Sequence, residues 1–150
     1  MVLTKTELIT ALKHEVHVLG HLMSKIEPRM LEYRPSPKQR SLLELLQYLA
    51  IVGPIQMRTA LSDTFVLDDY KRLWSEGVMT SRTLDLDQLR AAISNLSGLF
   101  DETLTGTHDE KFREDFALFG RTVSRGSWLV TLTLNHYVAY RMQVFLYPST

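Results

Sequence analysis

Apolar residues return every three or four positions at the start of the chain: Leu8, Leu12, Val16, Leu19, Met23 and Ile26. That spacing puts them on one face of a helix and predicts one from about Thr4 to Ile26. Thr4 is placed to cap its start, Glu7 three residues on completes a capping box, and Pro28 marks the exit. The segment Tyr33 to Pro37 holds two prolines, and each pushes the residue before it toward extended geometry. A second capping box, Ser41 with Glu44, opens the next helix. Its residues Leu42, Leu45, Leu46, Leu49, Val52 and Ile55 cover most of the circumference and predict burial. Gly53-Pro54 predicts a kink near its far end.

A long connection is expected from Ser62 to Thr83, with a short amphipathic helix over Asp68 to Trp74. The third long helix starts at Asp85, boxed with Gln88. It carries Leu86, Leu89, Ile93, Leu96, Phe100 and Leu104, and stops at Thr105-Gly106-Thr107. His108 to Asp115 reads as a solvated loop, with Phe116, Leu118 and Phe119 folding back onto the core. The last helix runs from Ser124 or Ser127 to Tyr147, and Pro148 closes it. Trp128, Leu132, Ala139 and Leu146 form one apolar side, and Val130, Leu134, Val138 and Phe145 form others. Nothing alternates with period two over a useful length, so no sheet is expected. The pattern predicts an all-α, up-down four-helix bundle with long connections between helices two and three and between three and four, in one domain over residues 1–150.

Composition narrows the function classes. Lys and Arg together number 17, as do Asp and Glu. A zero net charge supplies no footprint for phosphate backbones and no polybasic membrane anchor, so neither nucleic acid nor membrane is an expected partner. The absence of cysteine removes disulfides, thiolate zinc sites and thiol nucleophiles. No apolar run is long enough to span a bilayer, and Met1 to Thr10 lacks the pattern of a signal peptide. The expected compartment is the cytoplasm. There is no Gly-rich phosphate loop, Gly-x-Ser-x-Gly elbow or HExxH.

Two segments carry a family resemblance. The first, from Tyr33 to Leu49, has a Pro-rich entry, Ser41 at a helix start, and Tyr48 followed by Leu49. The second is His136-Tyr137-Val138-Ala139-Tyr140-Arg141-Met142-Gln143. In place, order and spacing they resemble the DinB/YfiT superfamily of metalloenzymes. The resemblance implies a metal triad of one His from helix two and two from the last helix, four residues apart on a shared face. At those positions this chain has Tyr48, His136 and Tyr140, so one ligand in three is kept. The family's glycine before the final Gln is replaced by Met142. A neutral phenol, ionising only near pH 10, is a poor ligand for zinc or nickel. No metal is therefore expected, the alternative being a divalent Zn or Ni ion on His136. Relatives in the family often form homodimers, which implies one here. A dimer would also cover the second apolar face of the last helix.

Two readings of the triad positions stay open. Tyr48, His136 and Tyr140 could line a metal-free polar pocket, with His136 as a general base or hydrogen-bond donor to a small-molecule ligand and with Glu44, Gln143 and Arg141 as neighbours. Alternatively the tyrosines fill the volume of lost imidazoles and close a core network. Glu44 already has a role in its capping box. Arg141 could hold an anion or pair with a carboxylate. His14, His17 and His21 have metal-ligand spacing but lie opposite the Leu8/Leu12/Leu19 stripe, which predicts a polar outer face. Asp68-Asp69 and Asp109-Glu110-Lys111 read as solvated charges. The functional expectation is a DinB-like protein with a degenerate metal triad, acting as a metal-free ligand-binding or interaction protein. The alternatives are a divalent-metal hydrolase or thiol S-transferase using His136, and a purely structural protein with no accessible pocket.

Overall fold

The computed structural model describes residues 3–147. Its helices are α1 (Lys5–Met23), α2 (Leu42–Leu61), α3 (Leu67–Ser81), α4 (Leu86–Ser94), α5 (Leu96–Thr105), α6 (Asp109–Arg113), α7 (Arg125–Leu129) and α8 (Asn135–Leu146). A π segment, Val130–Leu134, joins α7 to α8, and two strands, β1 (Asp115–Leu118) and β2 (Arg121–Ser124), form an antiparallel hairpin. All three predicted capping boxes are present: Thr4 with Glu7, Ser41 with Glu44, and Asp85 with Gln88. Each ties down backbone N–H groups that a helix start otherwise leaves unpaired.

The bundle is built from α1, α2, the α4–α5 pair and the α7–α8 pair. Both α1 and α2 pack on α4–α5 and on α8, which sets these consecutive helices across the diagonal from each other. The proline-bearing link from Ser24 to Ser41 is long enough to make that crossing. The core holds Leu12, Leu19, Leu45, Leu49, Phe100 and Leu129, all fully buried.

The Ser62–Thr83 connection is mostly helix. The 15-residue α3 extends well past the short stretch expected at Asp68–Trp74 and packs on α2. The third helix is divided at Asn95 into α4 and α5, though its apolar stripe is buried as predicted. The region read as a solvated loop contains α6, with Phe112 buried, and then the hairpin, which corrects the expectation of no sheet. Phe116 and Leu118 point into the core as expected, whereas Phe119 is 51% exposed at the hairpin turn with φ of 53°. Behind the hairpin Arg125 is buried. Its guanidinium donates to the carbonyls of Ala60 and Ser62 at the end of α2 and to Glu114.

The largest departure is in the last helix. Leu146 is 56% exposed and Ala139 is also exposed, so the apolar side they share with Trp128 and Leu132 does not stay buried along the helix. The π segment is the reason. A π turn takes an extra residue, so the inward face advances by one position beyond it. Leu132 is therefore followed inward by Tyr137, Val144 and Tyr147 rather than by His136, Gln143 and Leu146. Pro148 lies outside the described residues.

The advance brings Tyr137 against Gly53. The Tyr137 hydroxyl donates to the Leu49 carbonyl (3.1 Å) and accepts the Gly53 N–H (3.1 Å), bridging the two ends of an ordinary i to i+4 helix bond. A Cβ at residue 53 would lie 2.3 Å from that hydroxyl and 2.6 Å from Phe100 Cζ, so glycine is required there. α2 continues through Pro54 to Leu61.

Candidate functional site

Tyr48 lies in the first half of α2, and His136 and Tyr140 lie one turn apart on α8. The three are half-buried and in sequence of contact. The Tyr48 and Tyr140 rings meet edge to face with centroids 5.2 Å apart, and His136 stacks on Tyr140 at 5.8 Å. Two residues that the sequence reading did not select complete the surroundings of Tyr48. Trp74 from α3 stacks on its ring at 5.7 Å, and the Arg40 guanidinium sits 4.2 Å from the ring centre. The signal for Trp74 is its place on the amphipathic stretch Asp68 to Trp74, which lies inside a predicted connection. Arg40, just before the α2 cap, had no local mark.

Burial, and then the neighbouring Tyr140, pushes the Tyr48 phenol up to about 12, with Arg40 opposing the shift. The His136 ring nitrogen Nδ1 is 3.2 Å from the Thr131 carbonyl in the π segment, which orients the imidazole. The cluster is thus a set of aromatic rings with a neutral phenol at its centre.

Of the other expected neighbours, Glu44 and Arg141 are engaged elsewhere and Gln143 borders a different cavity. Glu44 is exposed at the α2 start, where the backbone hydrogen bond from Ser41 holds its carboxyl below the usual range and Arg34 pairs with it. Arg141 forms a salt bridge with Glu15, a largely buried carboxylate on α1. Gln143 is exposed and borders a shallow cavity of about 270 Å³ with Tyr33 and Tyr147. His14, His17 and His21 are all exposed on α1.

The metal implied by the resemblance does not fit these residues. Two neutral phenols and one imidazole form a weak donor set for a divalent ion. The phenol at the helix-two position resists ionisation, and a guanidinium lies against its ring. Among the described residues no group of three or more His, Cys, Asp or Glu is placed to hold a metal ion, so the α1 histidines are not gathered into one either.

No family model matches the chain, and no curated protein matches it by sequence. Solved structures match it over nearly its whole length at low identity. A DinB-like protein from Bacillus cereus is similar with a TM-score of 0.75 and 14% identity, over 98% of this chain and 92% of that one. The colibactin self-resistance protein ClbS, solved in complex with a dsDNA, matches with a TM-score of 0.69 and 16% identity, over 97% and 96%. YfiT from Bacillus subtilis, described as a probable metal-dependent hydrolase with an unusual four-helix bundle topology, matches with a TM-score of 0.64 and 18% identity, over 93% and 85%. The chain has the four-helix-bundle fold of the DinB-like proteins.

Proposed function

We propose that this chain is a metal-free ligand-binding or interaction protein on the DinB-like fold. The observation that carries the reading is the aromatic packing at the triad positions. Tyr48 is stacked by Trp74, met edge-on by Tyr140 and overlain by Arg40. The Tyr48 phenol resists ionisation and the Arg40 guanidinium lies on its ring, so the site offers a divalent ion no anionic donor there and leaves one cation to meet an anion. A homodimer in the cytoplasm fits the remaining features. Val138, Met142 and Phe145 on α8, 38%, 47% and 57% exposed, follow at four and three residues and make an apolar strip suited to a second copy. Among the described residues no helix is long and apolar enough to cross a membrane. The zero net charge supports neither nucleic acid nor membrane as a partner.

The test is metal content per chain, measured on untagged protein purified without metal columns, for the unaltered protein, His136→Ala and a triple His14/His17/His21→Ala variant. No metal, or metal lost only in the triple variant, is the expected result. Near-stoichiometric metal that vanishes only with His136→Ala would overturn the reading. It would turn the search to the alternative, divalent-metal hydrolase or thiol S-transferase activity using His136.

A further inference from the structure

A cavity of about 760 Å³ opens at the end of the bundle where α1 begins, away from the Tyr48 cluster. That volume lies within the range of small-molecule sites. Its apolar wall comes from Leu3 and Leu8 of the first segment, Phe112 of α6 and Val130 of the π segment. The polar part of the lining is donor-rich. Lys5 and Arg113 carry positive charge, Ser124 and Ser127 carry hydroxyls, the Thr4 hydroxyl is spent on Glu7, and among the described residues no carboxylate, amide or imidazole side chain lines the space.

The partners of these groups show what remains for a ligand. The Lys5 ammonium donates to the Thr107 carbonyl (3.0 Å) and pairs with Asp109 (3.2 Å), so its charge is matched. The Ser124 oxygen accepts the Ser127 N–H as a helix cap, which leaves its own proton to donate. The carboxylate next to Arg113, Glu114, is taken by Arg125 at 3.0 Å. Among the described residues Arg113 is in no ion pair and is exposed at the rim. The cavity thus offers an apolar volume, two hydroxyl donors and one uncompensated guanidinium.

We propose that this cavity binds a small, free carboxylic acid with an apolar body. Arg113 and the Ser124 and Ser127 hydroxyls receive the carboxylate, and Leu8, Phe112 and Val130 hold the hydrocarbon. A cationic amphiphile meets Lys5 and Arg113 with no carboxylate among the described lining residues to balance it, and a neutral one leaves the guanidinium without an anion. The proposal uses nothing of Tyr48, His136 or Tyr140, so it stands or falls apart from the metal question.

The experiment is titration calorimetry with octanoate, 1-octanol and octylammonium, three probes of one tail, on the unaltered protein, Arg113→Gln and Ser127→Trp. Octanoate is expected to bind once per chain and roughly two- to fivefold tighter than octanol, the scale of one exposed charge pair. Octylammonium is expected to be weakest. Arg113→Gln should bring octanoate to the affinity of octanol and leave octanol unchanged. Ser127→Trp, which projects an indole into the mouth, should weaken both. On the unaltered protein, octanoate should also shift the backbone amide resonances of Arg113, Gly126 and Ser127, a readout that needs no variant to fold. Equal affinity for octanoate and octanol, no effect of Arg113→Gln, or resonance shifts confined to other parts of the bundle would each overturn the proposal. His136→Ala should change none of these values.

Discussion

Replacing Gly53 by alanine adds one methyl group where α2 meets Tyr137. The added carbon would lie 2.3 Å from the Tyr137 hydroxyl oxygen, 2.6 Å from Phe100 Cζ and 2.8 Å from Tyr137 Cε2. Both rings are fully buried and cannot swing into solvent. Alanine is the better helix former by about 0.5–1 kcal/mol, which works in favour of the variant. Against it stand overpacking of a tight core, about 1–3 kcal/mol, and displacement of a hydroxyl that serves Gly53 N–H and Leu49 C=O, about 1–3 kcal/mol. The net expectation is a loss of about 1–5 kcal/mol, read as a lower urea midpoint at unchanged slope. Gly20 is the control. Nothing lies within 4 Å of a Cβ built there, so Gly20→Ala should stabilise by about 0.5–1 kcal/mol. The Tyr137→Phe background adds a second check. It removes the nearest atom, so Gly53→Ala should be less damaging there than in the unaltered chain. A Gly53→Ala protein as stable as its parent would refute the packing argument.

The alkaline limb of stability tests the surroundings of Tyr48. Its phenol is raised from 10.0 to about 12 in the folded protein, so the stabilisation it contributes is present below pH 10 and is lost as pH rises toward 12. Tyr48→Phe should flatten the decline of stability between those pH values, and an unchanged slope would show that the phenol is not buried as described. The apolar strip on α8 predicts a dimer by sedimentation velocity that Phe145→Glu converts to a monomer. A monomeric parent, or a variant that stays dimeric, would remove the strip as the interface.

Helix starts were legible because their chemistry is local. Thr4, Ser41 and Asp85 each hold their partners within one turn, and the same residues that mark the cap make its hydrogen bonds. The hairpin was not legible. Each strand has four residues, too few to show alternation, and the turn Phe119-Gly120 places a phenylalanine at positive φ where Asn or Gly is the usual signal. The contact of Tyr48 with Tyr140 followed from assigning both to one site, yet the face of α8 did not. A π turn has no residue signature of its own, and one extra residue was enough to exchange His136 for Tyr137 at the position that points inward. Trp74 and Arg40 reach Tyr48 from other parts of the chain, and helical spacing carries no information about such contacts.

The bridging hydroxyl of Tyr137 also orders events in time. Gly53 and its partner are 84 residues apart, a separation a ribosome covers in roughly 4–17 s at about 5–20 residues per second. An isolated helix forms in about a microsecond or less. The α2 segment therefore emerges long before the residue that seals it. Until then the cleft at Gly53 stands open beside Pro54, which supplies no N–H of its own. A nascent chain stopped short of α8 exposes that cleft and the apolar faces around it. Completion of the bundle waits for the last helix, and the chain passes from vulnerable to closed in one late step.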